Sequence, residues 1–416
     1  MTATPSQAWI TGVGVVGPQG CGWDAAVTGL RQPRPLFEPV PAAWREERGV
    51  PGAWIAPLAP EAERALQAHE TASTDRACAM ALCAAQQAWD QAAPGPEPAR
   101  AGTFWGTGMG GAQSMEQSYR RFLLERATLR PMTVPRIMAS SPAAQIAGKY
   151  RLRGPNLTYA IACASAATAI GEALLALRSG RVDVAIAGGS EALLQPGLLA
   201  GWQGLRVLST QDAAPDLHRA CTPFARNRPG LVLGEGAAAL VLESPGHARA
   251  RGARPLAVLA GYGSNCDAVA SLVQPQRAGE ADAMRQALAD AGVAARDVAL
   301  VNAHATGTDA GDVEEAEALA DVFGAHPPAV CATKSHHGHL LGAAGAMEAV
   351  LSIASLVEQL VPATLGSEPR DPRCASLRLV AEPAAAALDW VLSNSFAFGG
   401  ANVSPLFGRA PHGHGR

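Results

Sequence analysis

The sequence predicts an α/β fold whose central strands run mainly parallel. Short apolar runs rich in Val, Ile and Leu alternate with longer Ala-rich stretches along the whole chain, the pattern of strands joined by crossover helices. The composition supports close helix–sheet packing: hydrophobic residues make up 48% but aromatics only 5%, so Ala and Gly fill the interior. The second half also resembles the first in rhythm. VDVAIAGG and DVALVNAHAT each fall late in a strand–helix–strand run, which hints at internal duplication.

Taken in order, residues 8–16 (AWITGVGVV) read as a buried strand ending in Gly-rich turns. Residues 31–60 are Pro-rich and aperiodic, an irregular excursion. A helix is expected over 74–89, a strand over 102–108 running into the turn GTGMGG, and a short helix over 141–150 with Pro142 near its start. A strand over 157–162 leads into a helix over 165–179, closed by Gly180. Strands follow over 182–189, 232–243 and 256–263. The later elements are a helix over 280–292, a strand over 297–303, an acidic-capped helix over 312–323, a strand over 329–333, a long helix over 342–359 and a strand over 388–393. The tail after Arg409 reads as frayed. The chain divides at residue 250 into an N-terminal half, 1–250, and a C-terminal half, 251–416.

Several function classes drop out. A formal net charge of −3 gives no bulk attraction to nucleic acid. No uninterrupted apolar run reaches the ~18–20 residues of a membrane span, and no basic segment precedes the first apolar run as in a signal peptide. A soluble cytoplasmic protein is expected. The eight cysteines contain no C-x-x-C pair, so a compact zinc site is not expected.

Four segments could carry chemistry. Cys163 sits where a hydrophobic strand stops and a helix of small residues begins (YAIACASAATAIG), so the free N–H groups of the helix start favour its thiolate. A buried structural thiol is the alternative reading. His304, in VNAHATGTDAGDVEEAEAL, ends a buried strand at the sheet edge where sites form, with Thr306 and Thr308 in the turn behind it. A structural histidine capping a loop carbonyl is its alternative. Lys334 and His339 lie in KSHHGHLLGAAG, between a strand end and a helix. His336 and His337 read there as a solvent-facing pair, since no zinc-type motif accompanies them. Last, NSFAFGGANVS places two aromatics before a Gly pair whose backbone can approach a ligand.

The set in this order, a Cys elbow, a strand-end His, Lys-x4-His before GAAG, then F-x-F-G-G, resembles the β-ketoacyl-acyl carrier protein synthases, most closely the synthase I/II group. The resemblance runs from TGVGVVGPQG to NSFAFGGANVS and includes LRGPN, AGGSEA and VLGEGAAALVLE. It implies a thiolase-like, duplicated five-layer αβαβα fold, usually dimeric. It also implies acyl transfer to the cysteine and then decarboxylative condensation with malonyl-carrier protein to a 3-oxoacyl product.

Carried over by motif, Cys163 would be the nucleophile, and His304 and His339 the pair that supports decarboxylation. Lys334 would hold its ammonium near that pair and near Glu315, with Glu348 as a supporting carboxylate. The backbone N–H groups of Cys163 and Phe398 would form the oxyanion hole, and Phe398 would gate the acyl pocket. Thr306 and Thr308 would bind the phosphopantetheine arm, which arrives on the acyl carrier protein, so neither a dissociable cofactor nor a metal is expected. Met109 would line the deep end of the acyl tunnel, and Trp202 and Arg206 the tunnel or the carrier entrance. The expected assembly is a homodimer, or a heterodimer with a related ketosynthase-fold subunit.

The chain departs from the family pattern at Ala305 and Ala397, where Gly is usual, and at His336 and His337, where Met-Thr or similar is common. The segments TPFARNRPGLV and CDAVASLVQPQ also lack their usual acidic and His-x-Thr-x-Pro residues. These departures fit a specialised polyketide or polyene pathway at least as well as fatty-acid synthesis. A chain-length-factor-like partner subunit is the alternative, but such subunits replace the nucleophile that Cys163 supplies. A thiolase would need a second catalytic Cys in the late segment, and a dinucleotide-binding dehydrogenase a third Gly and an acid in register.

Overall fold

The computed structural model describes residues 7–48, 50, 52–95 and 100–411. The tail expected to fray therefore lies, from residue 412 on, outside the described residues.

The first apolar run forms β1, Ala8–Gly17, almost wholly buried. It is followed by β2 (Ala101–Gly106), β3 (Asn156–Tyr159), β4 (Val184–Glu191) and β5 (Gly236–Glu243). Their spatial order is β3-β2-β4-β5-β1. The pairs β3–β2 and β2–β4 are parallel, whereas β4–β5 and β5–β1 are antiparallel. The C-terminal part supplies β6 (Ala257–Cys266), β7 (Leu300–Asn302), β8 (Ala329–Cys331), β9 (Trp390–Ser393) and β10 (Ala401–Arg409). These lie in the order β8-β7-β9-β10-β6, with the same alternation of parallel and antiparallel pairs. Strand for strand the second set repeats the first, and β1 joins β6 through Ala8–Leu259, Trp9–Val258 and Ile10–Ala257.

The duplication is real, but the two segments that hinted at it are not equivalent. VDVAIAGG lies on β4, the fourth strand of its set, and DVALVNAHAT on β7, the second of its own. The true counterparts are the helices that follow β3 and β8: α2, Ser165–Arg178, and α5, Ala344–Glu358. They form the central layer between the two sheet halves and share one apolar core with both. Helix α1, Arg76–Ala92, covers the outer face of the first half, and α3 (Arg277–Ala291) and α4 (Asp309–Phe323) that of the second. The layers read αβαβα. Small residues permit the spacing: a Cβ on Gly12 would stand 2.0 Å from the Ala88 carbonyl oxygen of α1.

One helical stretch, Leu341–Glu358, has the length and mean hydropathy of a span, but Glu348 interrupts it and 89% of it is buried in the central layer. Other expectations need correction. The strand lengths and one unmarked helix differ from the sequence reading. The strand expected over 157–162 ends at Tyr159, because the next residues turn into the elbow described below. β10 had no sequence signal, since Pro405 lacks a ladder donor and usually marks an edge. Here it sits opposite Tyr262, just past the register shift at Leu259/Gly261, within a buried strand. Helix Ala112–Leu123 was also unmarked: Tyr119, Phe122 and Leu123 are exposed, so no buried stripe patterns it.

Candidate active site

The thiol of Cys163 stands on a strained elbow. After β3, Ala162 takes a φ of 42°, a left-handed conformation costly for a residue with a side chain, and residues Ala162–Ala164 make a single tight turn into α2. Ser165 clasps the turn: its hydroxyl donates to the Ala162 carbonyl at 2.7 Å and accepts from the Ile161 N–H at 2.8 Å. The repeat of the fold builds a second elbow before α5, with Leu341 at φ 48°. Between β8 and that elbow, the short helix Lys334–His337 and Gly338 lead to His339. The His339 backbone is pinned on both sides, its N–H to the Val232 carbonyl (2.7 Å) and its carbonyl to the Gly234 N–H (2.9 Å).

The two elbows bring the side chains together. His339 Nε2 lies 3.0 Å from Cys163 Sγ. His304 follows β7, and its ring meets that of His339 edge-on, centroids 5.4 Å apart at 84°. One donor atom each from Cys163, His304 and His339 lies within 4.8 Å of the others. Such an N/S set is also one that a soft ion such as zinc could occupy.

Lys334 is fully buried and donates to the carboxylate of Glu348 and, at 3.5 Å, to His304 Nδ1. An ammonium can only donate, so Nδ1 accepts and the His304 proton sits on Nε2. Glu315 is not the carboxylate on Lys334. It accepts the N–H groups of His304 (2.8 Å) and Ala305 (2.7 Å) and the Asn394 side-chain amide (3.0 Å), and so fixes the His304 turn.

Burial dominates the site's proton equilibria. The helix start was expected to favour a Cys163 thiolate. Instead burial pushes the thiol up to about 12, against the opposing pull of Lys334 and the Phe398 N–H. His304 and His339 are held well below the ordinary histidine range, first by burial and then by the Lys334 charge. The resting group is thus a neutral thiol beside two neutral imidazoles. Burial also raises Glu348 to about 7, although Lys334 favours its charged form.

A cavity of about 380 Å³ opens on Cys163. His304, His339, Glu315, Thr306, Thr308, Ala305, Ala397, Phe398, Trp202 and Arg206 all border it. The Thr306 and Thr308 hydroxyls are 3.1 Å apart. Phe398 stacks on Trp202 at 6.1 Å and 23°, while Arg206 is exposed at the rim. The Gly pair behind Phe398 is tied to the neighbouring loop: the Gly399 N–H donates to Leu272 and the Asp267 N–H to Gly400. Met109 is not brought to this cavity; it is 46% exposed, its N–H on Glu191.

His336 and His337, expected to face solvent, are buried. The helix that carries them is packed inside the protein, so their Nε2 atoms bond Ala363 O (2.8 Å) and Thr333 Oγ1 (3.2 Å), and they border a separate cavity shared with Gln19 and Arg34.

Two supporting residues escaped the sequence reading. Glu191, fully buried, accepts N–H groups from Gly108 (2.5 Å), Met109 (3.1 Å) and Gly342 (3.0 Å), tying β4 to the second elbow. Its signals were its place in the AGGSEA segment and a lone Glu closing an apolar strand run. Arg228, its side chain almost wholly buried, borders the cavity and pairs with Asp309 (2.9 Å) and Asp371 (3.0 Å).

The profile described as "Beta-ketoacyl synthase, N-terminal domain" matches residues 7–248, and "Beta-ketoacyl synthase, C-terminal domain" matches residues 256–368. Nodulation protein E of Rhizobium sp. is 39% identical over 409 residues, spanning 96% of this chain and 98% of its own length. The 3-oxoacyl-[acyl-carrier-protein] synthase 2 of Synechocystis sp. is 37% identical over 355 residues, 83% of this chain and 85% of the relative. Among solved structures, the ishigamide ketosynthase/chain length factor aligns over 97% of this chain and 99% of that one, with a TM-score of 0.88 and 32% identity.

Proposed function

The chain belongs to the β-ketoacyl synthase family, and from that premise we propose that it is a 3-oxoacyl-[acyl carrier protein] synthase, an acyltransferase of fatty-acid or specialised polyketide or polyene elongation. The observation that carries this reading is the 3.0 Å contact of Cys163 Sγ with His339 Nε2, at a cavity that His304, Phe398 and the Thr306/Thr308 pair also border.

In the first half-reaction the acyl thioester arrives on a phosphopantetheine arm, which Thr306 and Thr308 bind through their hydroxyls. No free cofactor is needed. The resting thiol must lose its proton as sulfur attacks the thioester carbon, and His339 Nε2 is the base within reach. The S–C bond forms, and the N–H groups of Cys163 and Phe398 hold the oxyanion. The departing thiolate leaves with the proton.

In the second, malonyl-carrier protein fills the same arm site. Its terminal C–C bond breaks, CO2 departs, and the electron pair moves toward the thioester oxygen. That oxygen accepts the Nε2–H of His304, and that of His339 once its ring, bare at Nε2 after the first half-reaction, has exchanged to the Nε2–H tautomer; neither gives up its proton to the enolate. The enolate carbon attacks the acyl-Cys163 carbonyl. The tetrahedral intermediate collapses, and Cys163 leaves as thiolate and takes up one proton from solvent, replacing the proton lost with the carrier thiol in the first half-reaction. Lys334 is a positioning residue here: it keeps the His304 proton on Nε2.

Both halves contribute. The N-terminal half, 1–250, supplies Cys163; the C-terminal half, 251–416, supplies His304, Lys334, His339, Glu315 and Phe398. Arg206 at the rim suits an acidic carrier protein, with Trp202 beneath it. The exposed Tyr119, Phe122, Leu123 and Val134 suit a homodimer or a pairing with a related ketosynthase-fold subunit. Met109 near that face would reach an acyl tunnel only if the partner completed it. Free thiols fit the cytoplasm. A chain-length-factor role is disfavoured because the full Cys–His–Lys–His set is in place.

Intact-mass measurement after mixing the purified protein with a panel of acyl-carrier proteins tests the reading. A mass gain equal to the acyl group, lost in C163A, is expected. Condensation by C163A at the wild-type rate would refute the nucleophile.

A further inference from the structure

A second thiol centre lies on the opposite face of the first sheet half. Cys21, half-buried, follows β1 on a short hairpin strand, paired with Val16. Cys83 lies on α1, 5% exposed. One turn along α1, the Gln87 carbonyl accepts the Val15 N–H at 2.9 Å, which fixes the orientation of its amide. The Gln87 Nε2 is thereby turned to both sulfurs, at 2.9 Å from Cys21 and 3.5 Å from Cys83. Both sulfurs therefore lie within reach of a single amide nitrogen.

We infer that Cys21 and Cys83 form an oxidisable dithiol, in which Cys21 reduces a hydroperoxide and Cys83 resolves the product to an intramolecular disulfide. The pair is unlike: Cys21 is half-buried and Cys83 almost wholly buried, the two held on the same Gln87 amide. The electrostatics agree with that division. Cys83, and after it Gln87, pulls Cys21 down to about 7 against burial and Glu61. Cys83 is pushed up by Cys21 and by its own burial. Burial raises Cys78, Cys221, Cys331 and Cys374 as well, so the acidity is local to Cys21.

The step balances. The Cys21 thiolate attacks one peroxide oxygen; the S–O bond forms, the O–O bond breaks, and hydroxide leaves with a proton as water. The Cys83 sulfur then attacks the Cys21 sulfenic acid; the S–S bond forms, the S–O bond breaks, and the Cys83 proton leaves in a second water. Two thiols are oxidised and one peroxide is reduced.

The test is non-reducing peptide mapping of the full chain after stoichiometric hydrogen peroxide. A linked pair of peptides carrying Cys21 and Cys83 is expected, with loss of two hydrogens, absent from C21S and C83S. In C83S a Cys21 sulfenic acid should persist and take up dimedone; in C21S, Cys83 should stay a thiol. If C83S does not fold, C83A and the wild-type time course carry the same reading. A Cys21 that proceeds to sulfinic acid in the wild type without the linked peptide would overturn the inference. So would equal dimedone labelling of Cys21 with and without Cys83.

Discussion

The sharpest test of the elbow is made from behind it, at Gly106. This residue ends β2 and faces the first turn of α2. A Cβ there would stand 2.3 Å from Ala166 N, 2.4 Å from Ser165 C and 2.5 Å from Ala166 Cα. All three are backbone atoms, so no side chain can swing away. Ordinary contact starts at 3.4 Å, so G106A must push the start of α2 outward by about 1 Å, and Cys163 rides on that start. A misplacement of about 1 Å costs on the order of 100-fold when the reacting atoms must be held in a near-attack geometry. Overpacking costs about 1–3 kcal/mol, against a total stability of roughly 5–15, so the variant should still fold. The assay is the rate of acyl-Cys163 formation by intact mass, with circular dichroism as the folding check. G148A is the control, because a Cβ at Gly148 meets nothing within 4 Å; it should acylate at the wild-type rate and gain about 0.5–1 kcal/mol. A folded G106A that acylates as fast as wild type would show that the elbow position does not set the rate.

Further expectations concern buried charge. E348Q leaves the Lys334 ammonium without its carboxylate, which should cost about 3–5 kcal/mol in a urea titration. K334M/E348Q should recover much of that stability but not malonyl decarboxylation, followed as CO2 release, because the His304 proton is no longer held on Nε2. His336 and His337 are depressed by burial, to about 4 and about 3, from the 6.5 of an unfolded chain. Their contribution is therefore complete above pH ~6.5 and is lost as pH falls through the folded values, on the order of 3 kcal/mol for His336 alone. H336M/H337T should flatten that slope in urea titrations between about pH 6 and 4. Finally, iodoacetamide should label Cys163 more slowly than the exposed Cys266 at about pH 7, with the Cys163 rate still climbing at about pH 9. A plateau by about pH 8 would mean that the helix start and Lys334 outweigh burial.

What the sequence made legible was order and local pattern. The alternation of apolar runs and Ala-rich stretches was enough for the layered fold, and the spacing of Cys163, His304, Lys334 and His339 was enough to group them. What stayed hidden depends on contacts between distant segments. β10 was invisible because Pro405 is tolerated only beside a register shift in β6, more than a hundred residues away. The motif match puts the Lys334 ammonium near Glu315, and its charge does act on that carboxylate. Which carboxylate it bonds is set by the fold: Glu315 accepts the His304 and Ala305 N–H groups, and Glu348 of the central helix takes Lys334. The thiol itself shows the limit most clearly. A helix start beside a cysteine is a local feature and argues for thiolate. The desolvation that opposes it comes from Leu193 and Leu194 just after β4, from Leu341 and His339 of the second elbow, and from Ala397 beside the Gly pair. The same enclosure that raises the resting thiol keeps His339 neutral and therefore able to take the proton. A sulfur held as thiol until a thioester arrives beside a neutral base is protected between turnovers. In the proposed reaction proton transfer within the Cys163–His339 contact is coupled to acyl transfer, so the 3.0 Å separation is expected to matter more to the rate than the acidity of Cys163 alone.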